Sequence, residues 1–219
     1  MQPYFETDLG VLYHGDCLEI MPQLEPVDLV LTDPPWNLNY FDNDSNPWPK
    51  YALWLENVIN QIILISRAAF IFQSSKAVPY VGHLFKEWTM FANPKSFCQL
   101  IKGQMCNAFD VGFLNNNKLN YTGKSGWRNW FVANNSSSKN ANRGLGHPTP
   151  RPTDTIIYII GMFSHKSICD PFIGSGTTAI ACERLNRRWI GIEISEAYCE
   201  IAAKRITAER QQLKLPGGF

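Results

Sequence analysis

The sequence predicts an α/β fold built on a mostly parallel, doubly wound sheet. Three observations predict it. Short apolar runs alternate with stretches of helical periodicity, the order that sets parallel strands side by side. The segment Asp170-Pro171-Phe172-Ile173-Gly174-Ser175-Gly176-Thr177-Thr178 puts a Gly-x-Gly turn between a strand and a helix. Two expected strands deliver acids at their ends, Asp33 and Glu193.

Each element has its own signal. Val11–His14 is a short strand, and Asp16 caps a helix over Cys17–Leu24 that Pro26 closes. Val27–Leu31 is a buried strand leading to Asp33. Asn37–Pro49 is rich in Asn, Asp and Pro and reads as a loop beside that strand end. Tyr51–Ser66 is a helix with Leu53, Leu55, Val58, Ile59, Ile62, Ile63 and Ile65 crowding one side, and Ala68–Phe72 is a strand. Lys76–Trp88 reads as a helix with Pro79 in its first turn. From Asn93 to Arg151 the periodicity fades, leaving Trp127–Val132 as a candidate strand. Beyond a proline-dense connector come a helix (Thr153–Phe163), a strand (Ser167–Cys169), a helix (Thr177–Leu185), a strand (Arg188–Ile194) and a last helix (Glu196–Arg210).

The 219 residues suit one domain with a small insertion, and 45% hydrophobic residues suffice for a core. Net charge is +1 but unevenly spread. Residues 1–92 carry 4 Lys+Arg against 11 Asp+Glu, residues 93–151 carry 8 against 1, and residues 152–219 carry 8 against 7. The basic middle third reads as an anion-binding surface, with nucleic acid as the first candidate and a solvated loop as the alternative. Within it, Lys118, Lys124, Arg128, Lys139 and Arg143 interleave with Trp127 and Trp130, the mixture that nucleic-acid surfaces use. Six cysteines include no CxxC pair and no Cys/His cluster, so neither a metal site nor a disulfide framework is expected. No signal peptide opens the chain and no apolar run approaches the ~18 residues of a membrane span. The expectation is a reduced, cytoplasmic protein without a membrane partner.

Asp33-Pro34-Pro35-Trp36 is the stretch around which the chemistry is organised. Prolines remove two backbone donors, so the turn offers a carboxylate and carbonyl acceptors beside a flat aromatic ring. That combination suits a planar ligand with an exocyclic amine, such as a nucleobase. An ordinary proline turn with Trp36 in the core is the competing reading. In the second segment, Gly174 and Gly176 let backbone approach a ligand at a helix N-terminus. Glu193 follows Gly176 at close to the ~20-residue spacing at which a carboxylate takes ribose hydroxyls.

Together these segments resemble the DNA amino-methyltransferases, which transfer methyl from S-adenosylmethionine (SAM) to adenine N6 or cytosine N4. The order, with Asp33–Trp36 first and Asp170–Thr178 last, resembles the circularly permuted β group of that family. His147-Pro148-Thr149-Pro150-Arg151-Pro152 resembles its HPTQKP, with Pro150 for Gln and Arg151 for Lys. The resemblance covers residues 9–36 and 147–206 and implies a Rossmann-like SAM-dependent methyltransferase fold. Residues 1–92 would form its catalytic half, 93–146 an inserted target-recognition region, and 147–219 its SAM-binding half.

The resemblance also implies roles. Asp33, Pro34, Pro35 and Trp36 would hold the target base. Asp170, Phe172, Gly174, Ser175, Gly176, Thr177 and Thr178 would hold SAM, with Thr149 and Arg151 at its carboxylate, Glu193 at its ribose, and Asp16 and Cys17 at its adenine. DNA would lie against Lys118, Lys124, Trp127, Arg128, Lys139 and Arg143. The expected activity is site-specific methylation of adenine N6 in DNA, in a restriction-modification setting. Cytosine N4, adenine in RNA, and a catalytically silent DNA-binding protein are the alternatives. A nicotinamide dehydrogenase would leave Asp33–Trp36 unexplained. Oligomeric state stays open, with a homodimer among the options.

Overall fold

The computed structural model of the protein describes residues 1–38, 46–94, 109–116, 151–163 and 166–213. Among them, eight strands form one sheet in the order β1-β2-β8-β7-β3-β4-β6-β5. The strands are β1 (Phe5–Glu6), β2 (Gly10–His14), β3 (Val27–Thr32), β4 (Ser66–Ser74), β5 (Thr89–Pro94), β6 (Phe109–Asn116), β7 (Ser167–Asp170) and β8 (Arg188–Glu193). The five central strands, β2, β8, β7, β3 and β4, are mutually parallel. β1 closes one edge and the β6–β5 pair the other, all antiparallel. The mostly parallel α/β sheet expected from the sequence is therefore present.

Side chains alternate between the faces of the sheet, as the two-residue strand period requires. Leu29, Leu31, Phe70 and Phe72 face one core, shared with the helices Thr153–Gly161 (α4), Thr177–Arg184 (α5) and Glu196–Leu213 (α6). Val30, Ala69 and Ile71 face the other, shared with Cys17–Ile20 (α1), Trp48–Ile65 (α2) and Val78–Val81 (α3). Helices on both faces make the sheet doubly wound, and they bury the central strands on both sides. Cys169 and Cys182 are fully buried, and burial pushes both thiols well up, so they behave as small core residues.

The direction of winding reverses in the middle of the sheet. From β3 the chain crosses through α2 to its neighbour β4, whereas from β7 it crosses through α5 to β8 on the opposite side. β3 and β7 are adjacent, so the carboxyl ends of these two strands flank the switch point where open α/β sheets bind ligands.

Several boundaries differ from the expectation, each for a local reason. The helix expected over Cys17–Leu24 stops at Ile20, and Pro22 starts a 3₁₀ turn over Met21–Gln23 because proline has no N–H for the α ladder. α2 begins at Trp48, before the expected Tyr51, with Pro49 tolerated in its first turn, and Leu53 and Ile63, expected on its crowded side, are exposed because the buried face follows Tyr51, Leu55, Val58, Ile59, Ile62 and Ile65. The expected helix Lys76–Trp88 is only α3 and a 3₁₀ turn over Gly82–Phe85. β1, β5 and β6 were not expected. β6 falls inside the 93–146 stretch but is an interior strand, between β4 and β5. The candidate strand Trp127–Val132 lies outside the described residues. No helix among the described residues is long and apolar enough to cross a membrane.

Candidate functional site

The switch point is built from two strand ends locked together. Thr32, the last residue of β3, donates its hydroxyl to Asp170 Oδ1 at 2.7 Å. Thr178, in the first turn of α5, donates to Asp170 Oδ2 at 2.6 Å, and the Phe172 N–H donates to Oδ1 at 3.1 Å. Asp170 is buried, and burial raises its carboxyl to about 6 against the opposing pull of these three donors. Asp170 and Thr178 thus brace the turn from inside.

The Gly-x-Gly turn follows directly. Gly174 and Gly176 have φ of 52° and 85°, a region costly for residues with a Cβ. A Cβ on Gly176 would also sit 3.1 Å from Ala202 Cβ, so the turn packs directly on α6. Ser175 is buried and receives the Arg205 guanidinium of α6 on its Oγ at 2.7 Å. Thr177 is likewise buried. The Phe172 ring meets Trp54 of α2 edge-on, 5.7 Å between centroids.

Glu193, at the end of β8, accepts the Gly174 N–H on Oε2 and the Ser195 N–H on Oε1, both at 2.9 Å. Burial raises its pKa, and the Ser195 and Gly174 N–H groups oppose that. A carboxylate has about four acceptor positions, so Glu193 keeps acceptor capacity for a ligand. β2 lies beside β8 with His14 opposite Glu193, and the Gly15 N–H reaches the Glu193 carbonyl at 2.9 Å. Asp16 follows directly in the chain, and its carboxylate caps α1 through the Leu18 N–H at 2.8 Å. Cys17 is a buried core residue whose thiol burial pushes up to about 12.

Asp33 leaves β3 on the other side of the switch point. Its Oδ1 accepts Trp36 Nε1–H at 2.9 Å and Arg151 Nη2–H at 3.2 Å, and its Oδ2 accepts Arg151 Nε–H at 2.7 Å. Arg151 also donates Nη1–H to Asp110 Oδ2 at 3.0 Å. Its guanidinium carbon lies 4.2 Å from the Phe72 ring centroid and 5.0 Å from that of Trp36. Burial alone would lower the pKa of Arg151, but the two carboxylates outweigh it and hold the guanidinium above its ordinary value.

The backbone of this turn is held as well. Tyr51 of α2 donates its hydroxyl to the Pro35 carbonyl at 2.7 Å and accepts from the buried Gln73 Nε2 at 3.0 Å. The Pro34 carbonyl makes no hydrogen bond among the described residues. Asn37, at φ 60°, ties the turn to Asn46 by accepting from the Asn46 N–H at 2.6 Å and donating to its carbonyl at 2.8 Å.

The structure thus gathers Asp33–Trp36, Arg151, Asp170–Thr178, Glu193 and Asp16 along the carboxyl edge of β3, β7, β8 and β2. Thr149, Lys118, Lys124, Trp127, Arg128, Lys139 and Arg143 lie outside the described residues. Thr32, Tyr51, Gln73 and Asp110 are members that the sequence reading did not single out. Asp110 carried a signal nonetheless, being the sole acid in the basic stretch 93–151. Among the described residues no group of three His, Cys, Asp or Glu is arranged to hold a metal ion.

A family model for N6/N4 methyltransferases, described as DNA methylase, matches residues 86–204, more than half of the chain. The type II methyltransferase M.BamHI of Bacillus amyloliquefaciens is 29% identical, over 99% of this chain and 62% of its own. The chain therefore spans about three fifths of that relative's length. M.ScaI of Streptomyces caespitosus is 28% identical over 97% of this chain and 86% of its own. In architecture the chain is similar to the PvuII DNA methyltransferase (cytosine-N4-specific), with TM-score 0.76 and 19% identity, covering 97% of this chain and 95% of that one. It is also similar to M1.HpyAVI solved with SAM, with TM-score 0.68 and 23% identity, covering 90% of this chain and 99% of that one.

Proposed function

The chain belongs to the N6/N4 DNA methylase family, and from that premise we propose that it transfers the methyl group of SAM to the exocyclic N6 of adenine in DNA. The observation that carries the proposal is the pair of acceptors left at the switch point. Of the roughly four acceptor positions on the Asp33 carboxylate, three are filled by Trp36 and Arg151, leaving one on Oδ2. The Pro34 carbonyl supplies the second acceptor. An exocyclic amine has two N–H bonds to give.

An aromatic amine is a poor nucleophile because its lone pair is delocalised into the ring. Two fixed acceptors let the nitrogen pyramidalise and direct that pair outward. Placement and orientation supply most of the acceleration. When bound, SAM supplies a methyl group already activated on a sulfonium. Residues that fit it are the Gly174–Gly176 turn at the opening of α5, Glu193 for the ribose hydroxyls, and the Asp16–Cys17 backbone for its adenine. Three of the five Arg151 N–H donors are engaged, leaving two for the cofactor carboxylate, beside Thr149. Asp170, Thr178 and Ser175 act by shaping the turn, since their side chains are held internally.

The target atom lies inside a duplex, so the base must be flipped, at a cost of a few kcal/mol. Stacking on Trp36 returns about 1–3 kcal/mol. Contacts from the 93–146 stretch, outside β6, supply the remainder as the target-recognition region. The Asp33-Pro34-Pro35-Trp36 sequence favours adenine within this family. Cytosine N4 is the second reading, favoured by the similarity to a cytosine-N4-specific enzyme.

Nucleoside mass spectrometry on DNA from a host expressing the protein tests the assignment. N6-methyladenine is expected, and N4-methylcytosine alone overturns it. Methylation of matched RNA in place of DNA overturns the substrate class. Asp33→Ala is expected to keep SAM affinity within about twofold while single-turnover transfer falls at least 10²–10³-fold, the range for losing one placed electrostatic group.

A further inference from the structure

We propose that Tyr51 and Gln73 are positioning residues for methyl transfer: a directed hydrogen-bond chain from Gln73 through Tyr51 pins the Pro35 carbonyl and leaves the Pro34 carbonyl to the target amine. This rests on the reading of Asp33 and Pro34 as the amine's two acceptors. Prolines at 34 and 35 deprive the turn of backbone N–H groups at both positions, so neither can be anchored by donating. Anchoring there has to come from a donor that reaches a carbonyl. Tyr51 is such a donor, with its hydroxyl 2.7 Å from the Pro35 oxygen.

The direction of the chain follows from the chemistry of its members. A backbone carbonyl only accepts, so the one hydroxyl proton of Tyr51 points to Pro35. Gln73 must then present its amide nitrogen to Tyr51 Oη, which lies 3.0 Å from Nε2. That orientation leaves Gln73 Oε1 buried with no hydrogen-bond partner among the described residues. Buried polar atoms are ordinarily paired, so the unpaired oxygen marks an orientation imposed by the link to Tyr51. The frame around the chain is stiff. Ile71 of β4 pairs with Thr32 at the end of β3, which sets Gln73 two residues further on, beside the turn. The Tyr51 ring, in the first turn of α2, is held edge-on by Trp48 at 5.8 Å and tilted by Trp54 at 5.7 Å between centroids. Such stiffness matters, because a misplacement of about 1 Å at a reacting group costs about 10²-fold in rate.

Tyr51→Phe removes the hydroxyl and keeps the ring, and Gln73→Leu removes the donor behind it. Single-turnover methylation of unmethylated plasmid DNA with enzyme and SAM in excess, SAM affinity by calorimetry, and Tm are measured on each variant, on the double variant and on Asp33→Ala. Tyr51→Phe is expected to slow transfer roughly 10- to 100-fold. Its SAM Kd should stay within about twofold, and its Tm within about 4 °C of the parent's. Gln73→Leu should slow transfer less, because the Tyr51 hydroxyl still reaches Pro35. Added to Tyr51→Phe, it should cost no more than about a further twofold, since Gln73 acts through the hydroxyl that is already gone. A rate for Tyr51→Phe within twofold of the parent overturns the proposal. So do rate losses that multiply in the double variant, and so does a parallel loss of rate, SAM affinity and Tm, which marks a structural brace. An inactive Asp33→Ala with a normal Tyr51→Phe removes this inference alone. A fully active Asp33→Ala removes the reading of the two acceptors as well.

Discussion

The Thr32 hydroxyl and the Asp170 carboxylate meet at 2.7 Å between residues 138 positions apart, and that bond joins the two strands from which the sheet winds in opposite directions. It sets the separation between the Asp33 turn and the Gly-x-Gly turn. The two halves of the candidate site are thereby registered to one another by a buried, titratable group.

That group makes stability depend on pH. Burial raises the folded Asp170 carboxyl to about 6, above its ordinary 3.8. A raised carboxyl favours the protonated folded state. Its stabilising contribution is complete below about pH 4 and is lost as pH rises through about 6. The change is on the order of 3 kcal/mol. Asp170→Asn removes the titration, so parent stability should fall relative to the variant between pH 4 and pH 6. Urea unfolding of both proteins across that range checks it, and a constant difference excludes it.

At Gly176 the backbone requires φ of 85°, and a Cβ would press on Ala202 at 3.1 Å. Gly176→Ala should therefore cost about 1–2 kcal/mol in backbone conformation, with a further packing cost against α6. The turn and the start of α5 move together, so SAM affinity should fall in the same variant. Denaturation and calorimetry on one preparation test both. Unchanged SAM affinity in a destabilised variant would detach the turn from cofactor binding.

For the basic stretch the expected signature is salt dependence. Residues 93–151 carry 8 Lys+Arg against 1 Asp+Glu. DNA affinity should fall with salt at a log–log slope of about −0.9 per phosphate contacted. Replacing Lys124 and Arg128 together by Ala should flatten that slope by up to about two. An unaltered slope in fluorescence-anisotropy titrations would mean that both side chains are simply solvated.

By itself the sequence determined what short range can determine. Period-two and period-3.6 patterns marked the buried parallel strands and their helices, as in Leu29-Val30-Leu31 and in Leu55, Val58, Ile59 and Ile62. Local chemistry marked the two turns, where proline removes donors at 34 and 35 and glycine admits positive φ at 174 and 176. It misjudged places where a local preference yields to neighbours. β5 and β6 depend on pairing with each other and with β4, which no local period announces. Only the tertiary structure decided the partners. Asp170 meets Thr32, and Arg151 joins Asp33 to Asp110. These groups are far apart in the chain and become neighbours through the reversal of winding between β3 and β7 and the placement of β6 beside β4. Which charge lies next to which is a property of strand order, and strand order is set by the packing of both cores at once.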